Sequence, residues 1–155
     1  MAREITIRDF MLAVAHYRLA HGDPLAVVSA AANLVGKGLG GPDLIDLAGS
    51  HRDDVAVFDE QIDGSFEELG LEAPTTADFA NWLTQEIARR IVGNEIEPVE
   101  GARQIKRMVA VTVSEDGPWR SFAGLVDEWE ETTAEKTGYV DDIRALALSV
   151  AGTVQ

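Results

Sequence analysis

At 155 residues and 46% hydrophobic side chains, the chain is long and apolar enough to bury a core. It carries 27 Asp and Glu against 13 Lys and Arg, and a net charge of −14 would repel a phosphate backbone, so nucleic acid is excluded as the expected ligand. Cysteine is absent, which removes disulfides, thiolate nucleophiles and cysteine metal sites together, and no apolar run approaches membrane-spanning length.

The first ten residues, MAREITIRDF, lack the apolar core of a signal peptide, so a cytoplasmic location and no membrane are expected. Thr6 and Asp9 form a shortened capping box, and Ile7, Phe10, Met11, Val14 and Tyr17 then fall near one helical face. Asp23 followed by Pro24 is an N-cap with proline at the first helical position. The alanine-rich helix behind it, ending at Gly36 and Gly38, has side chains small enough for a central place. A short turn over DLIDLAG comes next. Val55, Phe58, Ile62, Phe66 and Leu69 then recur at helical steps, which favours helix over a hairpin turn at Asp63-Gly64 and leaves open whether the helix breaks at Gly64.

Thr76 is the expected cap of the fifth helix, whose stripe is Phe79, Trp82, Leu83, Ile87 and Ile91 and whose end is Gly93-Asn94. Pro98 starts the next, with Ala102, Ile105, Val109 and Val113 as its buried set. The β-branched run VAVTV is expected to fray. In the joint between these two helices, Ile96 is placed as a hydrophobic staple and Gly101 permits close helix contact. Arg103, Lys106 and Arg107 fall on the solvent side. Gly117-Pro118 resets the chain before a helix carrying Phe122, Leu125, Val126 and Trp129, and Ile143, Leu146, Ala147 and Val150 mark the last. The expected fold is all-α: one domain over 1–155, a compact bundle of about seven to eight short and medium helices.

The segments ARRIVGNEIEPVEGARQI, SFAGLVDEWEE and DDIRALALSV resemble a loose group of short acidic bacterial helical proteins. The likeness covers residues 88–150. It implies the helical fold and carries no reaction with it.

Catalytic constellations are sparse. His16 and His21 are five residues apart, so they do not share a helix face as a metal pair must. HRDD at 51–54 lacks further histidines and reads as an acidic helix start. GKGLGG at 36–41 follows a helix and lacks the Lys-Ser/Thr of a phosphate loop, so it is read as a connector. No serine lies in a nucleophile elbow. Two carboxylate pairs, Glu97/Glu100 and Glu128/Glu131, are spaced to share helix faces. Together they define the alternative reading, a magnesium-dependent all-α nucleotide pyrophosphohydrolase-like enzyme. A self-associating structural or regulatory subunit is the third.

The distribution of charge favours a different function. Residues 41–72 carry ten acids against one base and residues 114–155 nine against three, whereas residues 73–113 balance at five each. Two acidic blocks on a chain with few catalytic groups suit a non-enzymatic protein that docks a basic partner. An immunity protein or antitoxin meeting a cationic toxin is of that kind. The expected contact residues are Asp53, Asp54, Asp59, Glu60, Asp63, Glu67 and Glu68, with Asp127, Glu128, Glu130 and Glu131 from the second block. Trp119, at a helix start beside Pro118 and Arg120, is the candidate aromatic anchor if exposed, although packing against the core is the favoured reading of it; Trp82 and Trp129 are expected in the core, and no cofactor is implied.

Overall fold

The computed structural model describes residues 2–50, 55–110, 113–133 and 136–152. It is all-α, and no strand occurs among the described residues. No helix among them is long and apolar enough to cross a membrane. Where the sequence suggested one domain, the chain packs as two compact units, Met1–Thr75 and Thr76–Gln155.

The first unit holds α1 (Ala2–Ala20), α2 (Pro24–Gly36), α3 (Pro42–Ala48) and α4 (Val55–Glu68). Helix α1 starts at Ala2, four residues before the capping box the sequence offers at Thr6. Its buried stripe runs through Phe10, Val14, Ala15 and Leu19, while Met11 and Tyr17 stay half-exposed. Phe10 packs on Phe66 at 5.4 Å between ring centroids, and Tyr17 meets Phe58 edge-on at 5.3 Å.

The turn into α2 is tight. Gly22 N–H donates to the His16 carbonyl at 2.9 Å, and a Cβ on Gly22 would lie 2.9 Å from the His16 carbonyl carbon. Asp23 then caps α2 by accepting from Leu25 N–H at 2.9 Å. Helix α2 packs between α1 and α3 through Val27, Ala30, Ala31 and Leu34, the central place its small side chains suggested. Helix α4 runs unbroken through Gly64, the helix that the apolar spacing favoured. The Asp43 carboxylate lies where a Cβ on Gly64 would stand, so the glycine admits α3 and does not interrupt α4.

The second unit holds α5 (Thr76–Val92), α6 (Pro98–Ile105), α7 (Pro118–Glu131) and α8 (Thr137–Ala151). Helix α5 buries two neighbouring stripes, Phe79-Leu83-Ile87-Ile91 and Ala80-Thr84-Ala88, and contacts each of the other three helices. It ends at Asn94, whose φ of 59° is the left-handed conformation of a C-terminal cap. Gly101 of α6 is buried, and a Cβ there would lie 2.6 Å from Ile91, so α5 and α6 touch where the glycine allows it.

Helix α6 continues as a π-helical turn, Lys106–Ala110, and Val109 and Val113 are buried as expected. Residues 111 and 112 of VAVTV lie outside the described residues. Trp119 heads α7 and Ile143, Ala147 and Val150 line the inner face of α8.

Candidate functional site

The acids of the first block separate by helix face. On α4, Glu60, Asp63 and Glu67 recur at steps of three and four and are exposed. Asp59 stands beside them. The base that answers them comes from α1, and the linear sequence did not point to it: Arg18 lies 3.0 Å from Asp63 and 3.8 Å from Asp59, and also donates to the Asp59 carbonyl at 3.2 Å. Glu60 and Glu67 have no cation within ion-pair distance among the described residues.

Tyr17, Arg18, His21, Gly22, Asp59 and Asp63 line an open cleft of about 680 Å³. Burial raises the Tyr17 pKa, Asp59 adds to the rise, and Arg18 opposes it. A second hollow of about 370 Å³ shares Asp63 and continues past Glu67 to Leu71. The acidic stripe therefore borders a concave surface along α4. Asp53 and Asp54 of the expected docking set, with His51, lie outside the described residues.

Glu68 turns the other way. Its carboxylate accepts from Gly41 N–H at 2.8 Å, Asp43 N–H at 2.8 Å and Leu44 N–H at 2.9 Å. These are orphan donors at the start of α3, whose N-cap, Gly41, has no side chain to satisfy them. Desolvation alone would raise the Glu68 pKa, but the three backbone bonds outweigh it and the net shift is downward. The glycine run supplies the space, since a Cβ on Gly41 would lie 3.0 Å from the Glu68 carboxylate. GKGLGG thus closes around the protein's own carboxylate. Glu68, expected on the docking face, is a structural cap.

Three acids of the second block, Asp116, Asp127 and Glu130, are answered from within their own unit, as is Glu100 of α6. Lys106 bonds Asp127, Arg103 meets Glu130 at 3.5 Å, Arg107 meets Glu100 at 3.3 Å and Arg120 meets Asp116 at 3.1 Å. The Lys106 pKa is raised, first by the Asp127 hydrogen bond, with further help from Glu130 and Glu131. Glu128 and Glu131 remain exposed on α7, and Glu97 is exposed before α6.

The four carboxylates of the alternative metal reading, Glu97, Glu100, Glu128 and Glu131, are not drawn into one group. Among the described residues no three His, Asp or Glu side chains are placed to hold a metal ion.

The aromatics leave the second block without an exposed anchor. Trp119 is 1% exposed, and its Nε1–H donates to the Glu115 carbonyl at 3.1 Å, so it is core and offers no exposed anchor. The position beside Gly117 explains this, because the Trp119 ring occupies the place a Cβ on Gly117 would take. Trp129, expected in the core, is half-buried between two cations, with Arg103 at 5.0 Å and Lys136 at 4.0 Å from its ring centroid. Trp82 is likewise half-buried, edge-on to Phe79 at 5.4 Å.

Compared with family models, curated proteins and solved structures, the chain matches none.

Proposed function

We propose that this chain is a non-enzymatic binding protein whose α4 face receives a basic protein partner, as an immunity protein or antitoxin receives a cationic toxin. One observation carries the reading. Glu60, Asp63 and Glu67 form an exposed stripe on α4 beside Asp59, and Arg18 is the cation that meets any of them among the described residues. On α7 Lys106 and Arg103 answer Asp127 and Glu130, while Glu128 and Glu131 stay exposed, so the choice of α4 rests on the concave surface its acids border.

A stripe that one arginine only partly compensates attracts cations over about a Debye length, roughly 8–10 Å at ordinary salt, and so speeds and orients encounter more than it adds affinity. Affinity must come from desolvated contacts. Trp119 is buried, so Tyr17 is the aromatic that adjoins the acids, at the wall of the cleft shared with Asp59 and Asp63. A lysine or arginine entering there would meet carboxylates and a ring face together.

The test uses the whole chain as bait in an extract of its own cells, beside the double variant Glu60→Lys/Glu67→Lys and the control Asp141→Lys/Asp142→Lys. The expected result is a protein held at low salt, released at about 0.5 M salt, kept by the control and lost by the α4 variant. Partners that ignore salt, or that the α4 variant holds as well as the parent, refute the proposal.

A further inference from the structure

A groove between α7 and the π turn that extends α6 opens into a cleft of about 330 Å³, lined by Lys106, Ala110, Arg120, Ala123, Gly124 and Asp127. The lining follows helical spacing on both walls. Arg120, Ala123, Gly124 and Asp127 step by three, one and three along one face of α7, and Lys106 and Ala110 are the first and last residues of the π turn. Small side chains make the middle of the cleft, with the Lys106–Asp127 ion pair toward one end and Arg120, paired with Asp116, toward the other.

Two departures from regular helix meet at this cleft. A π turn is a costly insertion in an α-helix and is found disproportionately at functional sites. Gly124 is the other, near the middle of α7, where glycine weakens a helix. Packing does not explain it, for a Cβ built on Gly124 finds nothing within 4 Å. Gly101 and Gly64 differ in this respect, since neighbouring helices fill their Cβ positions. Local rules are broken on both walls of one hollow, as is expected where a surface serves something other than folding.

The cations are held in place with donors to spare. Lys106 gives one N–H to Asp127, leaving two of its three. Arg120 uses Nε and Nη2 on the carbonyls of Glu115 and Ser114 and on Asp116, which leaves the two N–H groups of Nη1 without an acceptor among the described residues. Fixing both side chains in advance reduces the ordering cost of binding.

We infer that this cleft binds a small molecule with two anionic groups, one at Lys106 and one at Arg120, its carbon chain lying over Ala110, Ala123 and Gly124. Lys106 sits opposite Asp127, and seven helical residues from Asp127 to Arg120 span about 10 Å. A short dicarboxylate or a phosphorylated acid fits that separation, and a single inorganic phosphate reaches one end only. The inference concerns a different unit from the α4 surface and stands apart from the partner proposed there.

The experiment is a calorimetric titration of the full chain with the dicarboxylates from succinate to pimelate, with inorganic phosphate, and with sodium chloride at matched ionic strength. One or more of the dicarboxylates is expected to bind where chloride gives no heat, and more tightly than phosphate. Gly124→Leu fills the cleft and is expected to abolish binding. Arg120→Gln removes one end and is expected to weaken binding roughly tenfold. Arg107→Gln removes a cation outside the cleft and should leave it unchanged. Circular dichroism checks that each variant is folded, and Arg120→Gln decides the matter if Gly124→Leu is not. Absence of dicarboxylate binding above chloride, tighter binding of phosphate, or binding that survives the loss of Arg120 would each overturn the inference.

Discussion

Replacing Glu68 tests whether one carboxylate joins α4 to the start of α3. Glu68→Ala leaves Gly41, Asp43 and Leu44 N–H without their acceptor. A hydrogen bond to a charged group contributes about 1.5–3 kcal/mol, but three bonds to one carboxylate are not additive, and water reaching the vacated site recovers part of the loss. The expected cost is therefore about 2–4 kcal/mol. Glu68→Gln keeps Oε1, which serves Gly41 and Leu44, and turns an N–H₂ toward Asp43 N–H in place of Oε2. About 1–2 kcal/mol follows from one lost and one repulsive contact. Denaturant unfolding with an unchanged slope measures both.

The pH dependence has a definite sign. A folded pKa below the ordinary 4.5 means the contribution is complete above that value and is lost as pH falls through the lowered one. The gap between parent and Glu68→Gln should accordingly shrink as the solution is taken below about pH 4. A cost under about 0.5 kcal/mol for Glu68→Ala, or a gap that stays constant through acid, would show that the carboxylate does not hold α3.

Four further outcomes are expected from unfolding measurements. Gly101→Ala destabilises by about 1–3 kcal/mol, because its methyl meets Ile91, 1% exposed, at 2.6 Å. Gly124→Ala, with nothing within 4 Å of the new methyl, stabilises by about 0.5–1 kcal/mol, so the same substitution changes sign between α6 and α7. Trp119→Ala costs about 3–5 kcal/mol as a buried aromatic, and half-buried Trp129→Ala less; the reverse ranking would contradict the burial. Thr84 is fully buried and its hydroxyl has no hydrogen-bond partner among the described residues, so Thr84→Val is neutral or stabilises by up to about 1 kcal/mol, and a clear loss would reveal a bond that the geometry lacks.

Helix existence was legible wherever apolar residues kept a helical period over several turns. Asp23-Pro24, Gly93-Asn94 and Pro98 marked boundaries because each acts through its own backbone, and a local cause can be read locally. The role of Gly64 was not legible, for the opposite reason. It depends on Asp43 of another helix, and nothing within a few residues of Gly64 announces that. The π turn escaped as well. Lys106–Ala110 keeps Val109 buried, as an α-helix would, so the apolar pattern cannot distinguish the two.

The carboxylates show most sharply where a linear reading stops. Glu67 and Glu68 are adjacent and chemically identical, and composition assigns both to one acidic block. Consecutive residues point about 100° apart around a helix, so at the end of α4 one faces water and the other faces α3. Which does which depends on where the glycine run 36–41 brings the unsatisfied N–H groups of α3. Arg18 repeats the lesson with opposite charge, reaching Asp59 from 41 residues away in the chain, and Asp63 with it. A net charge of −14 is thus no measure of what a partner meets. What remains for a partner is the part that no internal donor has claimed, and on α4 that part is Glu60 and Glu67 with the outer edge of the Arg18 pair.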